Sequence, residues 1–268
     1  MTLSTNATST AGAPAAPRGE AELRRIAALG AEQLGFDAPA EAVVRFAAEH
    51  FGVRDVAVAC SMADAVLPHL VAAELPGVDV LFLETGYHFD ETHATRAEVA
   101  RRLDVRIVDV MPKLTIAEQE SQYGKDLFAR DPGECCRIRK MDPLRDALAG
   151  YGAWFTGVRR EESPTRANAP LVSFDEVHGL VKFNPVATWT FDQLVDYAAE
   201  HAVPVNLLLS NGYPSIGCRP CTRPVAPGED PRAGRWAGSA KTECGIHVAA
   251  PGAADTASTA ESPEETTP

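Results

Sequence analysis

No stretch of the 268-residue chain approaches the ~18 consecutive apolar residues of a membrane helix, so no helical membrane span is expected. Basic residues are in deficit: 25 Lys and Arg stand against 37 Asp and Glu, a net charge of -12. That deficit argues against general nucleic-acid binding, which needs a basic surface to displace phosphate counterions. It leaves room for a local cationic pocket. Charge of either sign is missing from residues 1–17, as are the basic n-region and apolar core of a signal peptide. Residues 1–18 therefore read as a disordered leader on a cytoplasmic protein. Residues 248–268 lack bases and carry four acids (Asp255, Glu261, Glu264, Glu265), and read as a disordered acidic tail. The intervening body is long enough for one good core.

Within that body, short apolar runs alternate with helical patterns. Helices are expected over 20–34, 39–51, 63–74, 91–103 and 134–149. Thr190 opens another, with Gln193 at the capping-box position. Strands are expected at 56–59, 78–83, 105–110 and 153–156. The alternation predicts an α/β fold with a parallel sheet flanked by helices. Ligands of such sheets bind beyond the carboxyl ends of the strands, which directs attention to the loops after Ala59, Leu83, Val110 and Thr156.

Six cysteines are present, and without a secretory signal a disulfide framework is not expected. Cys218-Arg219-Pro220-Cys221 is a CxxC pair and Cys135-Cys136 a vicinal one. A zinc ion is small and prefers ligands spaced by two or more residues; a four-iron cluster is large and takes four thiolates. The two pairs together point to an iron–sulfur cluster, with zinc or unrelated buried thiols as alternatives. Arg137, Arg139 and Lys140 follow the vicinal pair, where cations would offset the thiolate charge. Cys244 stands apart, between Lys241 and His247, which can raise its thiolate fraction. It is the candidate nucleophile; a spare surface thiol is the alternative. Cys60, at the end of an apolar run, reads as core packing.

Anion sites have weaker signatures. A strand-to-helix loop, Cys60-Ser61-Met62-Ala63-Asp64, could offer free amides to a phosphate. Gly157 permits close backbone approach, and the arginines that follow it (Arg159, Arg160, Arg166) suit a bidentate grip on phosphate or sulfate. Arg232 and Arg235 add cations shortly before Cys244.

Five segments in this order resemble the assimilatory adenylyl-sulfate (APS) reductases of actinobacterial type, iron–sulfur members of the phosphoadenylyl-sulfate (PAPS) reductase family. They are Glu84-Thr85-Gly86-Tyr87-His88-Phe89, Cys135-Cys136-Arg137-Ile138-Arg139-Lys140, Gly157-Val158-Arg159-Arg160, Gly217-Cys218-Arg219-Pro220-Cys221 and Glu243-Cys244-Gly245-Ile246-His247. The likeness covers about residues 40–247. It implies a fold like that of the PP-loop adenine-nucleotide hydrolases, although the glycines of the PP-loop are missing after Ser61. It implies that Cys135, Cys136, Cys218 and Cys221 hold a [4Fe-4S] cluster. It further implies that Cys244 attacks APS, releases AMP and becomes an S-sulfocysteine, which thioredoxin or a similar dithiol reduces to free sulfite. Lys140, Arg232, Arg235 and His247 would surround the sulfate; Ser61, Thr85, Gly86, Gly157 and Arg159 would hold the AMP portion. The division expected is a leader (1–18), an α/β catalytic body (19–235), a mobile segment bearing the nucleophile (236–247) and the tail (248–268). Glu84 stands where the family usually has Asp.

Three other readings compete. The chain could accept PAPS, alone or beside APS, if Arg54 or Arg166 met a 3'-phosphate. It could be a metal- or cluster-bearing redox sensor without turnover. It could act on ATP, against which the missing glycines speak. A homo-oligomer is compatible with the sequence.

Overall fold

The computed structural model describes residues 18–238 and positions 241, 243, 245 and 246. Cys244 and His247 lie outside the described residues, as do the expected tail and the leader up to residue 17.

Six strands form one sheet: β1 (Val56–Ala59), β2 (Val78–Leu83), β3 (Val105–Val110), β4 (Ala153–Phe155), β5 (Val172–Asp175) and β6 (Leu180–Phe183). Their spatial order is β3-β2-β1-β4-β6-β5. All neighbours are parallel except β5 against β6. The chain leaves β1 toward β2 on one side and returns to β4 on the other, so a topological switch point lies between β1 and β4.

Side-chain alternation divides the core. On one face Val56, Val58, Val80, Phe82, Phe155 and Phe183 pack against helices α1 (Glu20–Leu34), α2 (Ala40–His50) and α3 (Val66–Glu74). On the other, Ala57, Leu81, Trp154 and Leu180 pack against Leu144 and Leu148 of a later helix. Full burial of one such Phe or Leu contributes roughly 1.5–3 kcal/mol. At the edge of the sheet, α4 (Asp90–Arg102) precedes β3, and α5 (Ile116–Tyr123) and α6 (Leu127–Arg130) follow it. No helix among the described residues is long and apolar enough to cross a membrane.

Two expected helices differ in outline. The helix expected from residue 63 begins only at Val66, because Asp64 bridges Val205 and the Ala63 carbonyl accepts the Asn206 N–H at 3.0 Å. Those cross-chain bonds hold 61–65 as a loop. The helix expected over 134–149 is three pieces: α7 (Pro132–Cys136), a π-helical turn (Arg137–Met141) and α8 (Asp142–Leu148). Pro143 has no N–H to give the Arg139 carbonyl, and the wide turn ends beside it. The capping box of Thr190 and Gln193 does open α9 (Phe191–Glu200), with Leu194 and Ala198 buried. The hairpin of β5 and β6 was absent from the expected strands.

Candidate active site and thiol cavity

Beyond the carboxyl ends of β1, β2 and β4 lies a cleft of about 240 Å³. Its floor is the loop after β1. Met62 there takes a left-handed φ of 59° with its side chain fully buried, the backbone shape glycine would adopt without strain. Ser61 lines the cleft and is exposed. Cys60 packs against the main core as expected, but it also lines the cleft. Burial, with the nearby Asp64 carboxyl, pushes its thiol up to about 12. Cys60 is thus a protonated wall residue at neutral pH, without nucleophilic character.

One wall is basic. Gly157, Arg159, Arg166, Arg232 and Arg235 all reach the cleft, as does Lys140. Arg159 is 9% exposed, its buried Nε has no hydrogen-bond partner, and its Nη2 stands 3.5 and 3.7 Å from Glu161 and Glu162. Such loose pairing leaves donors for an incoming anion. Arg235 donates to Ser215 Oγ at 3.2 Å and the Ile216 carbonyl at 3.3 Å, and stacks over Trp236 at 4.5 Å. A Cβ at Gly157 would meet only Leu67, at 4.0 Å, so the space above it is open to a ligand. Arg160 points elsewhere, pairing with Asp37 at 3.0 Å.

Two expected contacts lie outside the cleft lining. Thr85 is fully buried, with Oγ1 3.3 Å from Cys218 Sγ and its carbonyl accepting from Arg139 Nε. Gly86 (φ 75°) packs so closely that a Cβ would come within 3.1 Å of Ile116 and 3.2 Å of Arg139 Nη2. Both belong to a turn that backs the second pair of cysteines. Glu84 accepts the Gly86 N–H at 2.7 Å and lies 3.6 Å from His93, so the longer carboxylate has local partners.

Beside the cleft, Cys135 and Cys136 from α7 and Cys218 and Cys221 from a single 3-10 turn line one small cavity. None of the five described cysteines forms a disulfide. Burial and the mutual proximity of the sulfurs push Cys135 to about 12 and Cys221 to about 11. Burial therefore opposes ionisation of Cys135 and Cys221. No group of three or more described His, Cys, Asp or Glu side chains converges as a single-ion site does.

The cations sort themselves. Arg137 turns to solvent and pairs with Glu134 and Asp142. Arg139 is 3% exposed and donates to the carbonyls of Thr85 and Leu114 and to Gln119 Oε1, with no carboxylate among them. A buried guanidinium balanced only by neutral acceptors is costly unless negative charge lies near, and it lines the thiol cavity. Lys140 and Trp236 line both the cavity and the cleft.

Three further residues, of which Tyr87 and Glu243 stand in the quoted motifs without an assigned role and Glu162 in none, adjoin the site. Glu162 and Glu243 both pair with Arg166. Tyr87 lies under Arg139, 5.4 Å from its ring centroid.

Comparison with known proteins adds the following. The phosphoadenosine phosphosulfate reductase domain pattern matches residues 55–224. An adenosine 5'-phosphosulfate reductase of Mycolicibacterium smegmatis is 57% identical over 229 residues, 85% of this chain and 96% of that one. A protein of the same name from Streptomyces coelicolor is 52% identical, over 84% and 95% of the two chains. The crystal structure of a phosphoadenylyl-sulfate reductase from Candida auris, in complex with phosphate, superposes with a TM-score of 0.60 at 25% identity, covering 75% of this chain and 96% of that one. An FMN adenylyltransferase of Candida glabrata shares the fold at 12% identity and a TM-score of 0.51.

Proposed function

The chain belongs to the phosphoadenosine phosphosulfate reductase family, and from that premise we propose that it reduces adenosine 5'-phosphosulfate to sulfite and AMP, in sulfate assimilation. The observation that carries this reading is a cationic cleft at the switch point of the sheet, joined through Lys140 and Trp236 to a cavity of four thiols.

In the reaction, Arg159 and the amides around Ser61 and Gly157 hold the AMP portion. Lys140, Arg232 and Arg235 face the sulfonate, where donors already in place stabilise the departing charge. His247 is a fourth ligand in this reading. The Cys244 thiolate attacks the sulfonate sulfur. A bond forms between the two sulfurs, and the sulfur–oxygen bond to phosphate breaks. AMP leaves with that electron pair. Thioredoxin or a similar dithiol then attacks the Cys244 sulfur. Sulfite departs with the pair from the sulfur–sulfur bond, Cys244 returns as thiolate, and closure of the partner's disulfide balances the two electrons.

Cys135, Cys136, Cys218 and Cys221 would hold a [4Fe-4S] cluster, which supplies fixed negative charge beside Arg139 and Lys140. The electrons come from the dithiol. Lys140 is kept at the boundary of cavity and cleft, where it offers its ammonium to the sulfonate. Residues 19–235 form the catalytic body in this scheme and 236–247 the segment bearing the nucleophile.

Adenosine 5'-phosphosulfate is favoured over its 3'-phosphorylated form. Arg54 lies at the opposite end of the sheet, donating to Gly77 and Asp79, and Arg166 is committed to two carboxylates. Neither of the cations considered for a 3'-phosphate is free to take one.

The test is a single turnover without reductant, read by intact-protein mass spectrometry. A sulfonate adduct on Cys244 with stoichiometric AMP is expected. Turnover of the substrate by Cys244→Ser would overturn the mechanism.

A further inference from the structure

The carboxylate of Glu243 rests on two arginines that line the cleft. It accepts from Arg166 Nε at 3.1 Å and Nη2 at 2.7 Å, and from Arg232 Nη2 at 3.1 Å. Ser163 Oγ and Thr165 Oγ1 each add a bond at 3.3 Å. The three charged side chains are 15%, 12% and 14% exposed, so water screens them little. The partners come from the 3-10 turns after β4 and from the 230s, 11 to 80 positions away in sequence. These bonds therefore bring together two loops and the C-terminal segment.

The described residues after position 244 are held too. Gly245 (φ 93°) passes so close to the π-helical turn that a Cβ would lie 2.7 Å from Met141 Sδ. Ile246 packs against the buried cluster that holds Leu81 and Leu144 and lines the cleft. The segment is thus fastened by an ionic anchor before position 244 and by a steric and an apolar anchor after it.

We propose that Glu243 is a positioning residue: by docking on Arg166 and Arg232 it seats the segment that presents the nucleophile. This rests on the reading of Cys244 as nucleophile. Arg166 grips the carboxylate with two nitrogens and Arg232 with one, so Arg166 supplies the seat. Glu243 acts only through these arginines and touches no reacting atom.

The role concerns geometry rather than affinity. Glu243→Gln keeps the size and removes the charge. At saturating adenosine 5'-phosphosulfate the rate of adduct formation should fall about tenfold or more, because a displaced nucleophile loses its near-attack position. AMP affinity should stay within about twofold, since Glu243 bonds none of the groups that hold the AMP portion. Trypsin should cut after Lys241 faster than in the native protein, with the melting temperature little changed. A merely stabilising residue would lower the melting temperature without that local effect. Arg166→Gln should reproduce both the slow adduct and the faster cleavage. If the native protein reacts and Glu243→Gln reacts at the same rate, the assignment of Glu243 is wrong. If the native protein forms no adduct at all, the functional reading itself fails.

Discussion

The guanidinium of Arg235 occupies the space that a side chain at residue 217 would need: a Cβ at Gly217 would lie 2.6 Å from Arg235 Cζ. The glycine therefore sets where this arginine can rest beside Ser215 and Ile216. Gly217→Ala should displace Arg235 from the cleft and lower kcat/KM by roughly tenfold. In an Arg235→Ala background the same change should cost much less, because the group it displaces is gone. Steady-state kinetics of the four proteins checks this.

On the proposed cluster reading, loss of any one thiol from the cavity should remove the iron. Cys135→Ser or Cys221→Ser should purify colourless and inactive, against about four iron and four sulfide per native chain. Cys244→Ser should keep iron and visible spectrum, bind substrate, and form no adduct. Metal and acid-labile sulfide analysis of anaerobically purified proteins separates the cases.

Stability in acid should depend on Asp79, buried in β2. It accepts from Arg106 Nε at 2.6 Å, Arg54 at 2.9 Å and the Tyr151 hydroxyl at 2.8 Å. Burial opposes ionisation there, yet these partners hold the carboxyl below its usual 3.8. A depressed acid stabilises the fold above its unfolded value, and that contribution disappears as pH falls through the lower folded value. Asp79→Asn should cost roughly 1–3 kcal/mol at neutral pH, toward the lower end because both arginines are more than half exposed. The difference from native should vanish below the folded value. Urea unfolding across the acid range measures it.

Substrate preference should be insensitive to Arg54. Arg54→Ala should leave the ratio of kcat/KM for the 5'-phosphosulfate and its 3'-phosphorylated form unchanged within about twofold, since it lies at the far end of the sheet. A collapse of that ratio would mean that a second nucleotide-binding region reaches the strand beginnings.

Much of the fold was legible locally. β1 to β4 are apolar runs bounded by turns, and Thr190 with Gln193 announces α9 within four residues. β5 and β6 escaped because Asp175, Lys182 and Gly179 interrupt their pattern, though Gly179 (φ 70°) in the connection was a signal for the hairpin. The four cavity thiols stood out by spacing. Arg166 and Glu243 are 77 positions apart, and Arg139 and Thr85 are 54 apart. Such pairs are set by how the sheet stacks its loops, which no local pattern encodes. For the same reason Thr85, plausible beside a nucleotide from its motif, lies against Cys218, and Gly86 against Ile116 and Arg139.

The π-helical turn at Arg137–Met141 has a consequence for how this protein can change. An α-helix advances about 100° per residue, so one extra residue in a turn redirects everything after it. Within four positions the chain sends Arg137 to solvent, Arg139 beneath the thiol cavity and Lys140 to the cleft. The turn works as a switchyard for charge. A single-residue deletion there would leave composition, helix content and net length nearly intact while misdelivering each cation to its neighbour's destination.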